Sequence, residues 1–134
     1  MDRIEFRGIT SDGEWEYGGV VINPRGQYFI TTFIGGSVVD PETVGQYTGL
    51  LDKNGKKIYK DDIVKTKDIS EKIGVVKFGK HKATDMSNDY ECGNLGFYID
   101  ANDELHLLRQ DIYFWHGLGI EVIGNIHDNK ELTE

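Results

Sequence analysis

Short runs of alternating or β-branched residues, each closed by turn residues, make up most of this chain. Ile4-Glu5-Phe6-Arg7 alternates as a half-buried strand does. Asp12-Gly13 is a hairpin signal that joins it to Trp15-Glu16-Tyr17-Gly18-Gly19-Val20-Val21-Ile22. Asn23-Pro24-Arg25-Gly26 makes a further turn. Gln27 to Ile34 has the strongest strand composition in the sequence, and Gly35-Gly36 is expected to end it. Residues 1–45 therefore read as an antiparallel meander of three strands. Asp40-Pro41-Glu42-Thr43 places proline just after a capping aspartate, which allows one helical turn at the joint with the rest.

Residues 46–134 carry a second set of strands. Asn54-Gly55 is the dipeptide of a type I′ hairpin turn, in which both residues take positive φ. Ile58, Tyr59, Ile63 and Val64 have strand character, interrupted by Asp61-Asp62. Two adjacent carboxylates are costly inside a strand, so they are expected at a strand entry or bend, facing water or capping backbone N–H groups. Residues 67–71 are a polar loop, and Ile73 to Phe78 is a strand in which Gly74 marks a bulge or a close backbone approach. Residues 79–94 read as a long loop. Leu95 to Ile99 and Glu104 to Leu108 are strands. From Arg109 to His116 either a short helix or an extended segment fits. Leu108, Ile112 and Trp115 recur at helical spacing, and Gly117 suits the position after a helix end. Ile120 to Ile126 closes the set. Five short strands of this kind fit a small closed barrel, which leaves no open edge.

The run from Gln46 to Lys65 reads QYTGLLDKNGKKIYKDDIVK. It resembles the signature of the YopX family of phage and prophage proteins, in which the segment has the form QYTGLKDKNGKEIYEGDIV. Glu121 to Asn129, EVIGNIHDN, is similar to the family's second signature, and Ile4-Glu5-Phe6-Arg7 to its opening. The resemblance spans nearly the whole chain. It implies a β-rich, phage-encoded protein with an SH3-like barrel and no assigned activity. Asp61 stands where the family usually has glycine, a residue that serves φ values which aspartate adopts less easily.

The expected architecture is thus mainly β: an N-terminal antiparallel meander (1–45) followed by a small SH3-like β-barrel (46–134), the two able to form one compact unit. A chain of 134 residues can bury roughly two-thirds of its unfolded surface and needs no staples. No apolar run approaches the ~20 residues of a membrane span. No signal-peptide pattern opens the sequence. Cys92 is the single cysteine, which excludes an intramolecular disulfide and fits a reducing bacterial cytoplasm.

Charge is unevenly spread over a chain of net −8. Residues 51–82 carry ten lysines against five carboxylates, while the segments on either side are acidic. Such a lysine-rich stretch, 53–82, can be a solvated face, a contact for a protein partner, or a seat for a phosphate backbone.

Motifs for chemistry are sparse. His81, His106, His116 and His127 show no metal-binding spacing, and one cysteine cannot build a thiolate site. Cys92 lies outside any nucleophile signature. The carboxylate pairs Asp61-Asp62 and Asp103-Glu104 are adjacent in sequence, whereas hydrolytic pairs need two environments across a cleft. No phosphate-binding glycine pattern occurs. Tyr113-Phe114-Trp115 is different, because three consecutive aromatics cannot all point inward on one regular element. Either neighbouring chain covers them or at least one faces a partner. The functional expectation is a non-enzymatic protein-interaction module without cofactor or membrane, acting on a protein partner or on itself. Tyr113, Phe114 and Trp115 supply the apolar contact, and Lys56, Lys57, Lys60 and Lys65 an electrostatic rim. The alternative is nucleic-acid binding through the 53–82 lysines.

Overall fold

The computed structural model describes residues 4–66, 72–84, 91–101 and 112–133. They form two compact units, Met1–Gly49 and Leu50–Glu134, and a mainly β structure with two antiparallel sheets.

The first unit contains β1 (Phe6–Ile9), β2 (Trp15–Ile22), β3 (Tyr28–Thr32), β4 (Gly35–Val39) and β5 (Gly45–Leu51), the last running on into the second unit. The strands lie in the order β4-β3-β2-β1-β5. The meander thus has one strand more than expected. Gly35-Gly36, read as a break, instead opens β4, where Gly36 lies opposite Thr31 and Gly35 opposite Thr32. The ladder supplied by β3 overrides the weak strand preference of glycine. The turn falls two residues earlier, on Phe33-Ile34.

Ile30 and Val39 are the buried centre of this unit. Val39 lies over Gly8, where an added Cβ would stand 2.9 Å from Val39 Cγ2. At its far end β4 meets β1 again, since Thr10 bridges Val39 and the Asp40 N–H donates to Ile9 O at 2.9 Å. Asp40 then starts a 3-10 turn over Pro41–Thr43, its carboxylate accepting from the Glu42 N–H at 3.0 Å. This is the single turn that the Asp-Pro pair suggested.

Three hairpin loops share one design. In Thr10–Glu14, Asn23–Gln27 and Asp52–Lys56 the first residue bonds the fifth, and the fourth is a glycine with φ of 83°, 81° and 83°. In each, the side chain of the first residue accepts from the backbone N–H of the fifth. These are three-residue loops with glycine in the left-handed position. Asn54-Gly55 therefore does not form the two-residue type I′ turn: Gly55 has positive φ and Asn54 does not. The side chain at the loop's first position decides the outcome, because it holds the backbone in a turn that needs one left-handed residue.

The second unit adds β6 (Lys57–Tyr59), β7 (Asp62–Thr66), β8 (Lys72–Thr84), β9 (Glu91–Ala101), the helix α1 (Ile112–Gly117) and β10 (Glu121–Asn125). A 3-10 turn over Lys130–Thr133 follows. Its four-stranded sheet has the order β10-β7-β8-β9, and among the described residues no pairing closes it into a barrel. Much of the stretch expected as a long loop, 79–94, is instead a regular hairpin, paired from Gly74↔Ala101 to Thr84↔Glu91. Pairing between the two strands, which local composition does not signal, overrides the polar character of the stretch. The expected strand Glu104–Leu108 lies outside the described residues.

β7 is the central strand, and Ile63 and Val64 on its two faces are both fully buried. Val64 joins Ile58, Val76, Ile99, Ile112, Trp115, Ile120 and Val122 in one apolar core. Gly74 is a point of close approach, as its position in a strand suggested. A Cβ there would overlap Ile99 Cγ2 and come within 3.3 Å of Ala101 Cβ. Gly74→Ala is expected to cost about 2 kcal/mol through overpacking, read from urea melts.

Candidate interaction surface

α1 carries the aromatic triplet. Ile112 and Trp115, one turn apart, enter the core, while Tyr113 between them is 73% exposed. Trp115 is 1% exposed, so its ring belongs to the core and is not displayed for the apolar contact expected of it. The side chain of Phe114 lies outside the described residues. The helix ends where Leu118 N–H donates to Trp115 O and Gly119 N–H to His116 O, with Gly119 at φ 78°. The left-handed glycine is thus Gly119, not Gly117, because the helix runs one residue further than its spacing suggested. His116 Nε2 stands 3.0 Å from Leu51 O, tying the helix end to the residue before the Asp52–Lys56 loop.

The lysines of the expected rim sit among carboxylates. Lys60 Nζ lies 3.8 Å from Asp61 Oδ2, and Lys65 Nζ lies 4.0 Å from Glu121 Oε2, which Lys53 Nζ also approaches at 3.7 Å. Lys56 is exposed on the Asp52–Lys56 loop, and Lys57 is half-buried in β6. Lys77 hydrogen-bonds Asp100 at 3.0 Å, a bond that holds its ammonium above the usual range against the effect of burial. Exposed pairs of this kind contribute about 0–1 kcal/mol each to stability. Their larger effect is to cancel local positive potential.

The Asp61-Asp62 pair stands at the turn into β7, as expected, but is buried and not water-facing; Asp62 caps the backbone and Asp61 meets His127. Asp62 Oδ2 accepts from the Tyr59 N–H at 2.7 Å, which caps the turn into β7. Asp61 takes φ 73°, the left-handed conformation that a glycine would adopt more easily. Its N–H donates to Val76 O, its O accepts from Ile126 N–H, and its carboxylate lies 3.3 Å from His127 Nε2. Backbone contacts on both sides fix this conformation, at an intrinsic cost of about 1–2 kcal/mol.

Contacts like these join the two long sequence motifs. Asp52 Oδ2 accepts from Val122 N–H at 2.9 Å, Lys53 N–H donates to Ile120 O at 3.0 Å, and Asn54 Nδ2 reaches Glu121 Oε1 at 3.3 Å. Asp61 with Ile126 and His127 makes a second junction. Asn125 supports it from below: its side-chain oxygen accepts from the His127 and Asp128 N–H groups. Sequence reading treated the two motifs separately. Nothing in the local pattern of either announces a partner some 70 residues away.

Among the described residues, no three His, Cys, Asp or Glu side chains gather where they could hold a metal ion. Asp103, Glu104 and His106 lie outside the described residues, as do the side chains of His81 and Cys92. Among the described residues no helix is long and apolar enough to cross a membrane.

Comparison with solved structures finds protein EF1440 from Enterococcus faecalis. It matches over 100% of both chains with a TM-score of 0.55 and 21% sequence identity, a likeness of fold. No curated protein matches. The family model for YopX protein matches residues 20–134. That span includes both of the motifs that meet at Asp52 and Asp61, and on it the chain belongs to the YopX protein family.

Proposed function

We propose that this is a non-enzymatic accessory protein, phage- or prophage-encoded and acting in the cytoplasm of a bacterial host, that works by contacting another protein. The observation that carries this reading is Tyr113, held 73% exposed on a helix whose flanking Ile112 and Trp115 are anchored in the core. An aromatic ring displayed on a fixed backbone loses little entropy when it is covered, which is why such residues dominate protein contacts. In this reading Lys56, Lys57, Lys60 and Lys65 act as polar rim residues. Replacing Tyr113 by alanine is expected to remove the main protein partner recovered by affinity purification from a lysogenic or infected host, with the fold intact by circular dichroism. An unchanged set of partners would dispose of it.

The net positive charge of the 53–82 segment supports a second reading, nucleic-acid binding. The pairing of Lys60 with Asp61 and of Lys65 with Glu121 counts against it. Nuclease treatment during the same purification separates the two, since only a nucleic-acid partner is lost. The SH3-like barrel, expected over 46–134 from family resemblance, draws support from a similar curl in residues 4–49. There the meander curls until Thr10 meets Val39, and a 3-10 turn precedes the strand that returns to β1.

A further inference from the structure

The β3–β4 hairpin departs from the loop design used three times elsewhere. Its loop is Phe33-Ile34, with no glycine or asparagine at either position and no positive φ. Phe33 is fully exposed and Ile34 is 92% exposed. Turn chemistry does not call for these residues, and burial in their own unit does not use them.

They continue an apolar face. The register places Val21, Phe29 and Val38 side by side across β2, β3 and β4, and places Gly19, Thr31 and Gly36 in the next row on the same face. Val21 and Val38 are about half exposed. The second row is low. Thr31 leans over Gly19, where a Cβ would stand 2.9 Å from its hydroxyl, and at Gly36 a Cβ would make only ordinary contacts, 3.6 Å from Ile30 O and 3.7 Å from Thr31 Cγ2. Phe33 follows two residues later, in the turn just past the end of β3. The order along the hairpin is therefore a ridge of three apolar side chains, a shallow row with two glycines, and an apolar tip.

Charge indicates what covers this face. Residues 26–39 contain no charged side chain, in a chain that is 28% charged and carries net −8. A cationic or nucleic-acid partner finds nothing to pair with there. Two copies of a chain with net −8 repel each other on the whole, and that repulsion is weakest where the surface is neutral.

We propose that the β2–β4 face is a two-fold interface between two copies of this chain. The tip and the ridge lie about 13 Å apart, four residues along β3. A two-fold axis through the Gly19–Thr31–Gly36 row sets Phe33 and Ile34 of each copy on the Val21–Phe29–Val38 ridge of the other. The glycines at the axis let the two faces close. Such an interface is self-complementary, as two-fold symmetry requires. It uses residues other than Tyr113, so it stands or falls separately from the partner contact above.

Because the contact is apolar and the copies are like-charged, salt screens the repulsion and leaves the attraction. Dimerisation is expected to strengthen as salt rises, the opposite of an electrostatic contact. The test is sedimentation equilibrium of the full chain over a concentration series at low and high salt, for the wild type, a Phe33→Asp/Ile34→Asp variant and Tyr113→Ala. The expected result is a monomer–dimer equilibrium that tightens with salt, weakens at least about tenfold in the double variant and is unchanged in Tyr113→Ala. Both substituted side chains are solvent-exposed, so circular dichroism and melting of the double variant should match the wild type. A wild type that stays monomeric at its highest soluble concentration overturns the proposal. So does a dimer that the double variant leaves intact.

Discussion

Trp115→Ala is expected to destabilise the protein by about 3–5 kcal/mol, while Tyr113→Ala, two residues away, changes stability by no more than about 0.5 kcal/mol. The first removes a fully buried indole packed in the cluster with Ile112, Ile120 and Val122, leaving a cavity that the surrounding strands cannot close. The second removes a ring that is mostly in water. Urea melts of both variants give the comparison directly. The contrast also tells apart two causes of lost partner binding. A Trp115 variant that no longer binds has lost the helix's anchor, whereas a folded Tyr113 variant that no longer binds has lost the contact itself. Equal destabilisation by the two substitutions would mean that α1 does not sit as described.

Asp52→Ala is expected to cost about 3 kcal/mol, or roughly 10 °C of melting temperature at about 3 °C per kcal/mol for a chain of this size. The Asp52 carboxylate accepts three backbone N–H groups, from Asn54 and Lys56 at 2.8 Å and from Val122 at 2.9 Å. Alanine strands all three. Water can reach the two on the exposed loop, but the Val122 N–H is buried and keeps the full penalty. Asp52→Asn is milder, at about 2 kcal/mol. One oxygen can still serve the loop, while an amide N–H then faces the Val122 N–H.

The same site makes a pH-dependent contribution. Burial pushes the Asp52 carboxyl up, but the bonds from Val122, Lys56 and Asn54 outweigh it, and Lys56 adds attraction, so its pKa lies below the ordinary carboxylate value. A carboxyl whose folded pKa is depressed binds its proton more readily when unfolded. Its stabilisation is therefore complete above the unfolded value of about 3.9 and fades as pH falls through the folded value. Melts taken from pH 7 downward should show the wild type converging toward Asp52→Asn in acid. A constant gap between them would contradict the three-bond arrangement.

Much of the fold could be read from sequence because strands and turns write local signals. The Asp-Pro turn at Asp40, the strand at Ile63-Val64 and the crowding at Gly74 all came from residue chemistry within a few positions. What was missed depended on partners. Gly35-Gly36 becomes a strand only because β3 lies beside it, and residues 79–84 and 91–94 extend only because they pair with each other. Nothing in the sequence around Asp52 shows that one of the three N–H groups it accepts belongs to Val122. For the candidate surface, the sequence left open whether neighbouring chain covers the three aromatics or at least one is exposed, and packing shows that Tyr113 is exposed. The lysine rim looked more basic in sequence than it is in space, since Glu121, which Lys53 and Lys65 both approach, comes from a strand that periodicity cannot align with theirs.

The central place of β7 has a consequence for how the chain is made. One of its neighbours, β8, follows directly, but the other, β10, pairs Val122 with Val64 across nearly 60 residues. At about 5–20 residues per second, the ribosome takes roughly 3–12 s to supply that second neighbour. During that interval β7 presents a bare backbone edge beside Ile63 and Val64. The chain is then at its most vulnerable to mispairing, and a chaperone that recognises extended apolar segments would find its opportunity in that window.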